Sequence, residues 1–323
     1  QSCPGAADTL SLGDMPIPEP GPGQLRLRVR AAGVNRADVM QREGHYPPPP
    51  GASAILGLEV AGEIDAIGAG VTGFVPGERI AALVSGGGYA EFALVSASLA
   101  MRLPAGMGFV EAASLPEAWM TAWLNLRELG DLHVGQRVLI HAGASGVGAA
   151  AIQLARLSGA TVLTTAGSDE KCAFCESLGA SLAINYRTTD VAGAVRAAGK
   201  VDLILDPVGG ATLGPNLACL NQDGKLVLIA FMAGRSTELD LGQLLMKRLT
   251  VIGSTLRNRD PVTKARLAAR VQDTVIPAIV AGDVRATVDR TFPLAEVAAA
   301  HRYLESNQNR GKVVLTVAAA STV

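Results

Sequence analysis

Apolar and basic residues alternate through Leu25-Arg-Leu-Arg-Val29, the two-residue period of a strand with one buried face, after a Pro/Gly-rich entry at 16–23. Further short β-prone segments follow at 60–68, 79–84 and 89–95, separated by glycine clusters at 68–73 and 86–88. This pattern predicts a compact, mostly β domain of barrel-like build.

From about Pro116 the rhythm changes. A short strand at 138–141 is followed by Val147, Ala150, Ala151, Leu154 and Ala155, which share one helical face, and Gly159 is placed to end that helix. A strand at 161–165, a helix at 170–178, strands at 182–185, 201–206 and 225–230, a helix at 241–247 and a strand at 250–254 continue the alternation. Such alternation calls for a parallel sheet with helices on both faces, the doubly wound α/β fold. The tail carries predicted helices at 262–281 and 294–306 and a last strand at 312–317, expected to return to the first domain.

Composition narrows the picture. A length of 323 residues fits two domains, and 49% hydrophobic against 18% charged residues supplies a core and excludes a disordered chain. With 28 basic and 29 acidic residues the net charge of -1 gives no global attraction for nucleic acid or an anionic membrane, so neither is expected as a partner. The four cysteines (Cys3, Cys172, Cys175, Cys219) are too sparse for a disulfide framework and fit a reducing compartment. No apolar run approaches the ~18 residues of a membrane span, and the start lacks the flanks of a signal peptide, so a cytoplasmic location is expected.

The strongest chemical signal is Val138-Leu-Ile-His-Ala-Gly-Ala-Ser-Gly-Val-Gly148, read as strand, glycine turn and helix start. A dinucleotide pyrophosphate needs a turn without side chains and the free N–H groups of a helix N-terminus. In the G-x-G-x-x-G alignment ending at Gly148 the middle glycine is Ser145, whose hydroxyl can still donate to a phosphate oxygen. The next strand ends Thr164-Thr-Ala-Gly-Ser168 with Lys171 one turn later. No carboxylate stands at that strand tip to hold a ribose 2′-hydroxyl, and a hydroxyl with a lysine suits a 2′-phosphate, which favours NADPH.

Cys172-x-x-Cys175 has metal-ligand spacing, but it lies on a predicted helix without a second pair, and His45, His133, His141 and His301 are scattered. No metal site is expected.

Six ordered motifs carry a resemblance: Asn35-Arg-Ala-Asp-Val-Met-Gln-Arg-Glu-Gly-His-Tyr46, Pro47-Pro-Pro-Pro-Gly51, Leu56-Gly-Leu-Glu-Val-Ala-Gly62, Gly86-Gly-Gly-Tyr-Ala-Glu91, Leu115-Pro-Glu-Ala-Trp-Met-Thr-Ala122 and the glycine loop. Over nearly the whole chain they resemble the medium-chain dehydrogenase/reductase superfamily, within it the zinc-free, zeta-crystallin-like quinone oxidoreductases, and most of all the branch whose human member is induced by DNA damage. The resemblance implies a GroES-like, partly open β-barrel catalytic domain at 1–115 and 257–323, with a Rossmann domain binding NADPH at 116–256. Family members usually begin with a strand before the segment matching Cys3-Pro-Gly-Ala. Zinc-dependent relatives carry a cysteine near the position of Asn35 and a histidine before the glutamate, where this chain has Gly57-Leu58-Glu59.

By position, the resemblance assigns Tyr46 and Asn35 to the nicotinamide end and the catalytic site, and Thr121 to the carboxamide. Ser145, Gly146, Val147 and Gly148 would hold the pyrophosphate, and Gly167, Ser168, Lys171 and Tyr186 the 2′-phosphate. Gly209, Ala230, Phe231 and Met232 would line the cofactor groove, with Ser254, Thr255 and Leu256 reaching the nicotinamide. The implied activity is metal-free transfer of hydride from NADPH to a small quinone or enone, with Tyr46 hydrogen-bonding the developing phenolate. Alternatives on the same scaffold are an enoyl-thioester reductase and an NADPH-binding sensor or structural protein with little turnover. The resemblance also suggests a homodimer formed through an edge of the cofactor sheet, around 226–253.

Overall fold

The computed structural model describes residues 4–318, so Cys3 lies outside the described residues. The chain divides into two compact units, one running up to Met120 and resuming at Arg257, the other Thr121–Leu256. The division falls within the helix Pro116–Trp123, which leaves Glu117 in the first unit and Thr121 in the second.

The first unit begins with β1 (Gln24–Val34), β2 (Glu59–Ile67), β3 (Arg79–Leu83), β4 (Phe92–Ser96) and β5 (Ala100–Arg102). Leu25, Leu27 and Val29 are buried, as the alternation predicts, and removing each from water contributes roughly 2 kcal/mol. The intervening arginines face acids of β2: Arg26 and Arg28 donate to Asp65 at 2.6 and 3.0 Å, and Arg30 to Glu63 at 2.7 Å. The first half of β1 pairs with β4 and its end with a strand from the tail, while β2 runs along its other side. Tyr89 does not start a strand as expected but sits buried in the preceding loop, where Asp38 takes its hydroxyl; β4 starts at Phe92. A helix Arg36–Arg42, absent from the periodicity reading, follows β1 and is closed by a capping box in which Asn35 and Asp38 satisfy each other's backbone N–H groups.

The second unit is a six-stranded parallel sheet: β6 (Arg137–Ile140), β7 (Thr161–Ala166), β8 (Leu182–Asn185), β9 (Val201–Asp206), β10 (Leu220–Leu228) and β11 (Thr250–Gly253). The order β11-β10-β9-β6-β7-β8 reverses between β6 and β9, the switch point at whose carboxyl ends doubly wound sheets bind ligands. The helix Gly146–Leu157 follows β6, and its buried residues include the predicted stripe from Ala150 to Ala155.

The chain then returns to the first unit with β12 (Val288–Pro293) and β13 (Lys312–Thr316), which extend that sheet to seven strands. β13 pairs antiparallel with β1, as expected for the last strand. β12 was not legible: it lacks alternation and ends in proline, features tolerated on an edge strand. The expected helix 262–281 forms as Pro261–Arg270, a wider π-type turn Val271–Val275, and Ile276–Ala281. Pro277, lacking an N–H, cannot continue the regular ladder at that point. Among the described residues no helix is long and apolar enough to cross a membrane.

Candidate functional site

In the second unit the glycine turn joins β6 to the helix Gly146–Leu157. Ser145 is the N-cap: its Oγ accepts from the Gly148 N–H at 3.0 Å, which leaves the hydroxyl proton free to donate elsewhere. Two glycines are required by the turn itself. A Cβ on Gly148 would lie 2.3 Å from the Ala142 carbonyl oxygen, and one on Gly143 would lie 2.0 Å from Thr164 Oγ1. The turn therefore packs backbone on backbone at Gly148 and backbone on side chain at Gly143, and Gly146 and Val147 open the helix with N–H groups facing outward along its axis, while the Gly148 N–H is spent on Ser145.

A buried polar network fixes the neighbouring strand ends. His141 contacts Thr165 Oγ1 at 3.0 Å and Asn216 Oδ1 at 2.8 Å, and Asn216 donates to Asp206 at 3.0 Å. Burial lowers the His141 pKa, so the ring is neutral. The other oxygen of Asp206 accepts the N–H groups of Val208 and Gly209 at 2.7 and 3.1 Å, shaping a turn in which Gly209 has φ 62°. A Cβ on Gly209 would stand 3.1 Å from Phe231 Cα, so the structure brings Gly209 and the Ala230-Phe231-Met232 stretch together. Phe231 and Met232 are exposed, not core.

The four residues expected around a 2′-phosphate also meet. Gly167 leaves room for the Tyr186 hydroxyl, which a Cβ would approach to 2.7 Å. Ser168 caps the helix Asp169–Ser177 by accepting from the Lys171 N–H at 3.3 Å. The first acid of that helix, Asp169, is engaged by Asn185 at 2.8 Å. Thr121 and Ser254 are both buried; Thr121 offers its carbonyl to Asn125, and the Ser254 hydroxyl has no partner among the described residues. Neither shares a described hydrogen bond with the glycine turn. Thr255 and Leu256 follow directly, Leu256 buried.

The first unit is built differently. Asn35, Asp38, Glu59 and Lys312 are all buried. Lys312 forms an ion pair with Glu59 and donates to Asn35 Oδ1 at 2.6 Å, and Asn35 Nδ2 donates to Glu59 at 2.9 Å. The second Glu59 oxygen accepts the Glu117 N–H at 2.8 Å. The Asn35 amide is thus committed to holding a buried ion pair. Asp38 accepts from the Asn35 and Gly57 N–H groups and from Tyr89; burial nevertheless pushes its carboxyl up to about 6. Beyond Tyr89 stand His301, at 3.3 Å, and Arg42, which bridges His301 and Glu305. Burial, with Arg42 alongside, pushes His301 down to about 4.

Tyr46 is half-buried, and its hydroxyl has no hydrogen bond among the described residues. Arg257 lies 5.2 Å from its ring and is buried, donating to Gln41 at 2.7 Å and the Ser85 carbonyl at 2.8 Å, while its Nε has no partner. Burial raises the Tyr46 pKa, and Glu117 raises it further. The Glu117 carboxyl is itself pushed up to about 8, by burial first and Glu59 second. The periodicity reading singled out neither Glu117, Arg257 nor Lys312. The available signal was charge set among apolar neighbours, as in Leu58-Glu59-Val60 and Lys312-Val-Val-Leu.

Asn35 and Glu59 are taken up by Lys312, whose ammonium group opposes a second cation there, and the residue before Glu59 is the buried, apolar Leu58. Cys172 and Cys175 are buried in one helix, both thiols raised by burial. Among the described residues no group of three His, Cys, Asp or Glu side chains is placed to hold an ion.

Two family models match: "Alcohol dehydrogenase GroES-like domain" over residues 21–105 and "Zinc-binding dehydrogenase" over 146–271. A quinone oxidoreductase of Pseudomonas aeruginosa is 33% identical over 290 residues, covering 88% of this chain and 89% of that protein. Among solved structures, Escherichia coli quinone oxidoreductase complexed with NADPH matches with a TM-score of 0.88 at 28% identity, over 97% of this chain and 98% of that one. The CurK enoyl reductase matches with 0.85 at 30% identity, over 98% of both.

Proposed function

The chain belongs to the medium-chain dehydrogenase/reductase superfamily, and from that premise we propose that it is an NADPH-dependent, zinc-free reductase of quinone-type acceptors. Bound NADPH supplies the hydride. Within Ser145 to Gly148 the N–H groups of Gly146 and Val147 and the Ser145 hydroxyl bind its pyrophosphate, on a turn that the Gly148 N–H holds through Ser145. Ser168, Lys171 and Tyr186 take the 2′-phosphate, in a corner where Asp169 is already held by Asn185. Gly209, Ala230, Phe231, Met232, Ser254, Thr255, Leu256 and Thr121 complete the cofactor surface on the second unit.

The observation that carries the acceptor reading is Tyr46, a neutral phenol with a free hydroxyl beside the buried Arg257. Such a pair holds a carbonyl oxygen by hydrogen bonds and positive potential, which suits a conjugated quinone that needs no metal to accept hydride. Asn35 acts as a positioning residue through Glu59 and Lys312. Tyr46→Phe is expected to lower kcat moderately, about tenfold, with NADPH affinity unchanged; a fall to the uncatalysed background would instead make the tyrosine essential. The likeness to the CurK enoyl reductase keeps a second reading in play, and the assay separates them: NADPH consumption with 1,2- and 1,4-quinones supports the proposal, and consumption only with a short enoyl-thioester overturns it. Binding of NADPH without oxidation by any acceptor would indicate a sensor or structural role. We also propose a homodimer through the open edge strand β11, next to the exposed Leu245 and Met246, with sedimentation as a monomer at micromolar concentration as the contrary result.

A further inference from the structure

The chain around Tyr46 has few means of holding itself in place. The His45 N–H reaches the Met40 carbonyl at 2.8 Å, but Tyr46 is followed by four prolines, Pro47 to Pro50, none of which has an N–H to donate. Beyond them the Ala52 N–H turns back onto the Pro49 carbonyl at 3.1 Å, inside the same loop. The Tyr46 carbonyl has one hydrogen-bond partner among the described residues, the guanidinium of Arg257 at a long 3.4 Å, and the same guanidinium stands 5.2 Å from the centre of the phenol ring.

Arg257 is itself anchored on two separate segments. One terminal nitrogen donates both to the Gln41 side chain at 2.7 Å and to the Ser85 carbonyl at 2.8 Å. Gln41 belongs to the helix Arg36–Arg42, whose start is closed by the capping box. Ser85 is fixed from both sides, since the Val84 N–H donates to the Leu58 carbonyl at 2.8 Å and the Gly87 N–H to the Ile55 carbonyl at 2.7 Å. Arg257 is only 6% exposed, and its three acceptors are neutral, so its charge is kept in the interior by dipoles and an aromatic face rather than by an ion pair. Such burial is costly, and a planar fork that spans three segments is a geometry that an ammonium group does not copy.

We propose that Arg257 is a positioning residue of this site: it ties the proline-flanked Tyr46 to the helix Arg36–Arg42 and to the loop at Ser85, and so fixes where the phenol hydroxyl meets the acceptor. The inference rests on the reductase reading above and deepens it. The hydroxyl of Tyr46 touches the acceptor, and Arg257 acts through it.

The test uses the full chain and the variants Arg257→Met, Arg257→Lys, Tyr46→Phe and the double variant of Tyr46→Phe with Arg257→Met. With a 1,4-quinone, Arg257→Met should lower kcat about tenfold, as much as Tyr46→Phe does, while the NADPH Kd stays unchanged. Arg257→Lys, which keeps the charge and loses the fork, should recover only part of that rate. In the Tyr46→Phe background Arg257→Met should cost less than about twofold, because the hydroxyl it positions is gone. Losses that multiply in the double variant are those of a merely structural residue and overturn the proposal. Independently of turnover, the near-ultraviolet circular dichroism of the wild type minus that of Tyr46→Phe should isolate the band of a fixed phenol ring, and the same difference taken in the Arg257→Met background should vanish. A band that persists there overturns the positioning role, and a band missing from the wild type does so without requiring an Arg257 variant to fold. A wild type that oxidises NADPH with neither quinones nor a short enoyl-thioester overturns the reductase reading, whereas the circular-dichroism difference still decides whether Arg257 fixes the ring.

Discussion

In the second unit the buried polar side chains His141, Thr165, Asn216 and Asp206 form a chain that includes a neutral imidazole and ends on backbone N–H groups at the strand tips. In the first unit the buried side chains Asp38, Arg42, Glu59, His301 and Lys312 bring ionisable groups into contact far from solvent. The former arrangement holds turns in shape and presents backbone donors, which suits binding of a large anionic cofactor. The latter sets protonation states, which suits chemistry on a small acceptor. On the proposed function one chain thus separates holding from reacting, and each half can be disturbed in a way the other would not feel.

The largest expected effect lies in the first unit. Lys312→Met leaves the fully buried Glu59 carboxylate without its cation, and loss of one partner of a buried pair costs about 3–5 kcal/mol. Urea denaturation should show that loss. A change below 1 kcal/mol would mean the charges are not held as an ion pair, and the contrast between the units would fail. The second unit offers a steric counterpart of smaller size. Gly148→Ala drives a Cβ against the Ala142 carbonyl, a backbone atom that cannot swing aside, and overpacking of this kind costs about 1–3 kcal/mol. NADPH binding by calorimetry should drop more than stability does, because the displaced turn is the proposed pyrophosphate surface; equal affinity in the variant would remove the pyrophosphate assignment.

Next in size, Lys171→Ala should weaken NADPH binding by about tenfold or more, the scale of one charge-assisted hydrogen bond, and leave NADH nearly untouched. Equal losses for both cofactors would show that Lys171 supports the helix start rather than the 2′-phosphate.

The two units also differed in how much of them could be read from the sequence. The glycine turn, Ser168 with Lys171, and the parallel strands β6 to β11 depend on residues close together along the chain, so strand, turn and helix signals overlap and identify them. The ionisable cluster draws on separate segments around residues 35–46, 57–59, 117, 257 and 312, and its central pair, Glu59 and Lys312, is separated by 253 positions. No local period encodes such a pairing; each residue alone reads as an ordinary charge. Asn35 and Asp38 were the exception that local reading could have found, since their spacing is that of a capping box before the helix Arg36–Arg42. β12 was missed for the opposite reason, because an exposed edge strand needs no apolar alternation.

The smallest effect expected is a dependence of stability on pH that comes from the first unit. Asp38 and Glu117 hold their protons more tightly folded than unfolded, where carboxyls titrate near ~4. The folded state therefore binds more protons between about 4 and 6 for Asp38 and between about 4.5 and 8 for Glu117, and stability falls as pH rises through those windows. His301 acts with the opposite sign: its folded value of about 4 lies below the ordinary 6.5, so its contribution is lost as pH falls through that interval. Asp38 and His301 largely offset each other below pH 6.5, which leaves Glu117 to set the slope above it. Unfolding free energy should decline by about 1–2 kcal/mol from pH 6.5 to 8, and Glu117→Gln, which cannot ionise, should flatten the decline. Substitution of His141, which is neutral in its network, should leave the slope in place even where it lowers stability. A slope that follows His141 instead would move the proton-linked chemistry into the second unit and reverse the division of labour between the two.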